Sequence, residues 1–345
     1  VTDVPIRVLV VDDSAFARKV LRQVLSAAAG ITVVDTARDG LDALEKIAAL
    51  SPDVVTLDLV MPGLDGLGVL KALAGAASPR VVVVSSAGEE SELAVAALQA
   101  GAVELVHKPT ALATDRLYEL GAELVAKVRT AAGARVRTAP EPRPAEKPMA
   151  SPQTELARRL VVVGTSTGGP AALTKLLLSL PADFPAPLAL ALHIPAGYTE
   201  ALARRLDTYS PLEVLEAADG LALRPGRAVL ARAGMHLRVE RDGEQARVRL
   251  SRAPLQAPHH PSVDVLFESA AAGWGSDVVG VVLTGMGEDG LAGARAIRRA
   301  GGRVLTESPE SCVVYGMPRA VAEAGLSDDR APLDEMAALI ERYVR

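Results

Sequence analysis

The sequence predicts an α/β protein of two doubly wound parallel-sheet domains, the second with a small antiparallel hairpin insertion, joined by a Pro-rich linker. Three observations predict it. Short apolar, β-branched runs alternate with helical stretches in both halves of the chain. Between the halves the texture changes to Pro, Arg, Glu and Ala with few large apolar residues. In the second half, two strand-like runs flank Asp242-Gly243, a dipeptide suited to a tight hairpin turn.

Residues 1–130 form the expected first domain. The runs Val8–Val11, Thr32–Val34, Val54–Leu57, Val81–Val84 and Leu105–Val106 read as strands buried on both faces. Leu41–Leu50 and Ser91–Gln99 read as helices between them, and Leu117, Leu120, Leu124 and Val128 mark one face of a last helix. Residues 131–155, with Pro140, Pro142, Pro144, Pro148 and Pro152, read as an extended linker. Residues 156–345 form the second domain, with strands at Leu160–Val163, Leu188–Leu192, Val278–Leu283 and Arg303–Leu305. The hairpin insertion is expected at His236–Arg241 and Ala246–Leu250.

Composition narrows the class. A length of 345 residues exceeds one ordinary domain. With 49% hydrophobic but only 3% aromatic residues, the core must be aliphatic. A net charge of -5 provides no global basic field, so no nucleic-acid partner is expected. The single Cys312 excludes an intrachain disulfide framework and a multi-cysteine metal site. No signal-peptide pattern is visible and no apolar run approaches ~18 residues, so a cytoplasmic protein without membrane insertion is expected.

Five polar residues mark strand ends in the first domain. Asp12 and Asp13 follow the first strand, Asp58 the third, Ser85 the fourth and Lys108 the fifth. In an open α/β sheet the functional crevice lies beyond the carboxyl ends of the strands, where these groups would converge. Three carboxylates in one place repel and call for a divalent cation; Mg²⁺ suits oxygen ligands. Asp58 would then attack phosphorus, the cation and Lys108 would neutralise the phosphoryl oxygens, and Ser85 would hydrogen-bond one of them. Each Asp taken alone is equally a loop-starting cap; the coincidence of five strand ends points to chemistry.

Asp12-Asp13-Ser14, the segment Asp58–Gly66 and Lys108-Pro109 resemble the response-regulator receiver domain over residues 5–130. The resemblance implies an aspartyl phosphate on Asp58, supplied by a histidine kinase. It also implies Mg²⁺ held by Asp13, Asp58 and the carbonyl of Val60, with Asp12 assisting through water. Leu105 stands where many receivers carry an aromatic switch residue.

In the second domain, the apolar β-branched strand Leu160–Val163 ends in the small-residue turn Gly164–Gly169 that carries Ser166, before a helix starting at Pro170. A serine so placed is a nucleophile or an anion-binding cap. His193 and Asp289 also follow strands. An imidazole can take the Ser166 proton and return it to a leaving group, and a carboxylate can orient the ring and stabilise the imidazolium. Amides of the Thr165–Gly169 turn would supply an oxyanion site. Glu288 is the rival acid, since spacing cannot separate neighbours in a loop. His259-His260 read as loop residues, because no companion metal ligands are evident. Gly164–Gly168 fits a nucleophile-elbow pattern, but the order Ser, His, acid departs from the Ser, acid, His order of that fold.

Gly164–Gly169, His193–Thr199, His260–Phe267, Leu283–Gly290 and Val314–Pro318 resemble the chemotaxis protein-glutamate methylesterases over residues 155–345. The resemblance assigns the triad to Ser166, His193 and Asp289, and an oxyanion role to the main chain of Met286. It implies hydrolysis of glutamyl γ-methyl esters on chemoreceptors, deamidation of receptor glutamines, and peripheral recruitment to membrane receptors. Regulation would follow from an unphosphorylated receiver packed over the crevice. Glu288 stands where Asn is frequent, and Ala231–Gly234 replaces a more Pro/Gly-rich turn. Two other classes compete. A transcriptional regulator needs a basic helix-turn-helix output, which is not visible; a non-catalytic adaptor would have lost the triad.

Overall fold

The computed structural model describes residues 4–73, 78–86, 90–108, 114–135, 158–242 and 245–345, with backbone only at 114–120, 242 and 245. The chain divides into two compact units, Val1–Glu141 and Pro142–Arg345.

The first unit runs β1 (Ile6–Val11), α1 (Ala15–Ser26), β2 (Ile31–Ala37), α2 (Gly40–Leu50), β3 (Val54–Leu57), α3 (Gly66–Ala72), β4 (Arg80–Ser85), α4 (Ser91–Gln99), β5 (Glu104–His107) and α5 (Thr114–Ala132). The strands form one parallel sheet in the order β2-β1-β3-β4-β5. The order reverses beside β1, so the crevice opens between the ends of β1 and β3. Side-chain caps fix where helices start. Ser14 accepts the Ala17 N–H at 3.3 Å, Asp39 accepts Asp42 N–H at 2.9 Å, and Asp65 accepts Gly68 N–H at 2.7 Å.

One expectation fails here. The central strands are buried on both faces, but β2 is not: Thr32 is exposed and Val33–Thr36 are partly so. It is an edge strand, and its apolar run mimics a central one. Helix α5 continues two residues into the stretch read as linker; residues 136–157 of that stretch lie outside the described residues.

The second unit runs β6 (Leu160–Thr165), α6 (Gly169–Ser179), β7 (Leu188–Leu192), α7 (Thr199–Tyr209), β8 (Glu213–Glu216), β9 (Arg227–Leu230), β10 (His236–Asp242), β11 (Gln245–Ser251), α8 (Val263–Trp274), β12 (Val278–Val282), α9 (Leu291–Arg299), β13 (Arg303–Glu307), α10 (Met317–Glu323), β14 (Asp329–Ala331) and α11 (Leu333–Val344). Its main sheet is parallel in the order β14-β13-β12-β6-β7-β9-β8. Three of these strands, β8, β9 and β14, escape a sequence reading. They are short and mix charges with apolar residues, and β8 and β14 lie at the two edges.

The hairpin β10–β11 is antiparallel, pairing His236 with Ser251 through Asp242 with Gln245. The turn residues 243–244 lie outside the described residues. Its inner face, Leu237, Val239 and Val248, joins the core of Phe267, Ala270 and Trp274 on α8. That core is aliphatic apart from Phe267 and Trp274.

The sheet order reverses at β6, which lies between β12 and β7. Parallel pairing matches Thr165 with Leu192 and Val282 with Gly164. Ser166 and His193 are therefore the next residues past the ends of neighbouring strands, which lie about 5 Å apart.

Candidate active site and acidic cluster

The chain reverses sharply after β6. Gly168 has φ +78 and caps α6, with Pro170 in the first helical turn. A Cβ at Gly168 would meet Val313 Cγ2 at 2.6 Å, so glycine is required for conformation and for space. The Ser166 N–H donates to Thr284 O at 3.0 Å and the Gly169 N–H to Ser166 O at 2.7 Å. These two turn amides, expected as oxyanion donors, are committed to holding the turn. Met286 lies on the adjoining loop, with its side chain half exposed.

His193 and Asp289 meet. Nε2 of His193 lies 2.8 Å from Asp289 Oδ2, and both side chains are buried. Glu288 is exposed, so the structure pairs the imidazole with Asp289 rather than its neighbour. His193 Nδ1 is buried and has no hydrogen-bond partner among the described residues. Ser166 Oγ is not bonded to it here; such bonds commonly close only around the substrate.

The N-terminus of α8 holds the carboxylate. Ser262 Oγ–H and Asp264 N–H donate to Asp289 Oδ1 at 3.0 and 2.9 Å, and Val263 N–H donates to Oδ2 at 2.7 Å. Burial by itself would raise the pKa of Asp289. The hydrogen bond and charge of His193, with the amides of Asp264 and Val263, overcome that and hold the carboxyl well below its usual range. Asp264 in turn accepts the Gly290 and Gly293 N–H groups at 2.9 and 2.7 Å, tying the start of α9 to α8. Burial, with the Asp289 charge adding, pushes Asp264 up to about 6.

The ring of His259 stacks on that of His193, with centroids 3.9 Å apart and planes 21° apart. Burial, then the His193 charge, lowers the pKa of His259 and favours its neutral form. His260 tilts over His236, 4.3 Å between centroids. His236 is a buried strand residue: its Nδ1 accepts the Ser262 N–H at 3.2 Å and its Nε2 lies 3.1 Å from Pro254 O. Sequence reasoning missed Ser262, Asp264 and the His259 stack. The segment His260–Phe267 carried the family resemblance, but no spacing rule connects a helix start to a loop that follows another strand.

In the first unit, Lys108 Nζ bridges Asp12 Oδ2 at 2.7 Å and Asp58 Oδ2 at 2.9 Å. Asp12 is fully buried and Asp58 nearly so, whereas Asp13 is exposed. Ligand oxygens of Asp12, Asp13 and Asp58 lie within 4.8 Å of one another. Three carboxylates against one ammonium leave net negative charge, which fits a hard divalent cation. Burial raises the pKa of Asp58, and the Asp12 charge adds to that, against the opposing effect of Lys108. Burial disfavours the Lys108 charge too, but the two carboxylate bonds more than compensate and raise its pKa.

The Arg18 guanidinium bonds the carbonyls of Asp12 and Asp13 at 2.7 and 2.9 Å, fixing the turn that carries them. The Val60 N–H lies 3.4 Å from Asp58 Oδ1. Ser85, expected to face a phosphoryl group, has its Oγ 2.8 Å from Glu90 Oε2.

Two doubly wound units, one ending its strands in an acidic cluster and the other in a Ser, His and Asp crevice, define a receiver joined in one chain to a hydrolase. Residues 8–119 match the response regulator receiver domain and residues 161–340 match CheB methylesterase. The chain belongs to the CheB methylesterase family. It is 75% identical over 343 residues to the protein-glutamate methylesterase/protein-glutamine glutaminase 5 of Myxococcus xanthus, covering 99% of each chain. It is 45% identical to the protein of the same activity name from Symbiobacterium thermophilum, covering 99% of this chain and 97% of that one. The crystal structure of the Thermotoga maritima CheB methylesterase catalytic domain matches with a TM-score of 0.52 and 38% identity, over 53% of this chain and 97% of that one.

Proposed function

We propose that this protein is a phosphorylation-activated protein-glutamate methylesterase that also deamidates receptor glutamines in chemotaxis adaptation. The observation that carries the reading is the 2.8 Å His193–Asp289 pair, with His193 following the strand beside the one that ends at the Ser166 turn, and with its second imidazole nitrogen unpartnered among the described residues. Ser166 Oγ attacks the γ-carbonyl of a glutamyl methyl ester while His193 Nδ1 takes its proton. The tetrahedral intermediate collapses, His193 returns the proton to the leaving oxygen, and methanol departs. Water, deprotonated by the same nitrogen, then hydrolyses the acyl-serine. With a glutamine the leaving group is ammonia. The main chain of Met286 is the proposed oxyanion donor.

Asp58 is the proposed phosphoacceptor, with the phosphoryl group supplied by a chemotaxis histidine kinase. Asp12, Asp13, Asp58 and the carbonyl of Val60 would hold Mg²⁺, which supplies charge neutralisation to an incoming phosphate. Lys108 adds a second cation beside Asp58, and Ser85 would exchange Glu90 for a phosphoryl oxygen. The substrates are methyl-accepting chemoreceptors, approached from the cytoplasm without membrane insertion. Among the described residues no helix is long and apolar enough to cross a membrane.

The test is methanol release from methylated receptors by the full chain, with and without a small-molecule phosphodonor. Ser166→Ala is expected to lose on the order of 10³-fold or more in kcat. Asp58→Asn is expected to retain basal release and lose the phosphodonor response. Full activity in Ser166→Ala, or full activation in Asp58→Asn, overturns the corresponding half of the reading.

A further inference from the structure

Glu307 ends β13 with none of its surface exposed. Among the described residues no cation lies within ion-pair distance of it. Lys175 acts on it only at a distance and pairs instead with Asp334. A buried carboxylate without a counter-ion is costly to keep and calls for an account in terms of the bonds it makes. Its Oε1 accepts the Ser311 hydroxyl at 2.9 Å. Its Oε2 accepts the Thr284 N–H at 2.8 Å.

Thr284 is bonded to three consecutive residues where β6 ends, Thr165, Ser166 and Thr167. Its carbonyl accepts the Ser166 N–H at 3.0 Å and the Thr165 hydroxyl at 2.7 Å. Its own hydroxyl donates to Thr167 O at 3.0 Å and accepts the Val314 N–H at 3.0 Å. The path from Glu307 to the Ser166 backbone therefore contains one residue and two hydrogen bonds. Among the described residues no other side chain is bonded to the Thr284 N–H.

We propose that Glu307 is a positioning residue for Ser166, acting through Thr284 to set where the serine hydroxyl stands relative to His193. This rests on the reading of Ser166 as nucleophile. The carboxylate touches neither substrate nor reacting atoms. It fixes one end of a peptide unit whose neighbouring groups fix the nucleophile turn. Two acceptor oxygens engaged by two different loops, at Thr284 and at Ser311, give the crest of β12 a defined height beside β6. An apolar residue at 307 would fill the space but leave the Thr284 N–H buried without a partner, and the turn would relax towards other acceptors.

The experiment measures kcat and KM for methanol release by the full chain. Rates are expressed per serine titrated with a fluorophosphonate, so that misfolded molecules do not count. Glu307→Gln keeps an amide oxygen for the Thr284 N–H and is expected to stay within about 3-fold of wild type. Glu307→Leu is expected to lose roughly 10- to 100-fold in kcat with KM nearly unchanged, the scale of a nucleophile displaced by a fraction of an ångström to an ångström. If Glu307→Leu does not fold, Glu307→Asp replaces it: the charge stays but the reach to Thr284 is lost, and about a 10-fold fall in kcat is expected. Unchanged kcat per titrated serine in Glu307→Leu or Glu307→Asp overturns the proposal, as does a loss that lies wholly in KM. Ser166→Ala is measured alongside. Activity in that variant overturns the nucleophile reading, whereas an inactive Ser166→Ala with wild-type kcat at either Glu307 variant overturns only the positioning role.

Discussion

Asp289 bonds His193 through Nε2 and leaves Nδ1 buried and unpartnered. In the familiar serine triad the acid takes Nδ1 and the base nitrogen is Nε2. In the triad proposed above the two nitrogens would exchange roles, because Asp289 takes Nε2. The neutral ring must then carry its proton on Nε2. Nitrogen-15 correlation spectra of the full chain are expected to show the neutral form of the His193 ring as the Nε2–H tautomer. An Nδ1–H tautomer would contradict the arrangement.

Much of this site was legible in the sequence, for a physical reason. Parallel sheets put their chemistry at strand ends, and apolar runs mark those ends well. Ser166, His193 and Asp289 each follow such a run, as do Asp12, Asp58 and Lys108. What was not legible is contact between distant segments. Nothing in the spacing of Ser262–Asp264 says that this helix start cradles Asp289. Nothing near Glu307 says that its carboxylate reaches the Thr284 N–H. The strands β8, β9 and β14 were lost for the opposite reason: their signal is local but too short and too charged to stand out.

Asp264 shares its surroundings with Asp289, and the two carboxyls shift in opposite directions. Asp264 has a folded pKa of about 6 against an ordinary 3.8. The native state therefore binds more protons at this group than the unfolded chain, and its contribution to stability falls as pH rises through that window. Asp289 works the other way: its contribution is present above the ordinary carboxylate pKa and is lost on acidification below it. An amide at 264 keeps an oxygen for the Gly290 and Gly293 N–H groups without the charge. Asp264→Asn is expected to melt higher than wild type at pH 7, with the difference closing by about pH 4. Thermal scans at both pH values check this; a lower melting point at pH 7 would refute it.

Among the described residues Lys108 is the one ammonium paired with the two buried carboxylates Asp12 and Asp58. Removing it leaves the acidic cluster without an internal cation, and breaking a buried pair from one side is strongly destabilising. A divalent cation that binds only the folded state then restores stability by mass action. Lys108→Ala is expected to lower the melting temperature of the receiver in chelator by several degrees. Millimolar Mg²⁺ should recover more of that loss than the shift it gives wild type. Equal Mg²⁺ shifts in the two proteins would mean that Asp12, Asp13 and Asp58 do not form the cation site.

Gly285 lies against the Ser166 turn. A Cβ there would stand 2.4 Å from Met317 Sδ, 2.8 Å from Ser166 Cβ and 3.0 Å from Ser166 N, closer than packed atoms approach. The Gly285 N–H and carbonyl are both used, bonding Val314 O at 3.0 Å and accepting the Gly316 and Met317 N–H groups at 3.1 and 2.9 Å. This loop is pinned and Met317 is itself buried, so the strain of a methyl group falls on Met317 and on the Ser166 turn together. Gly285→Ala is expected to retain the fold, as judged by circular dichroism, and to lose on the order of 10²-fold in kcat, the penalty for a nucleophile displaced by about an ångström. The phosphodonor response is expected to persist as a ratio, since Asp58 and its neighbours are untouched. Wild-type kcat in a folded Gly285→Ala would show that the position of Ser166 is not set by this contact.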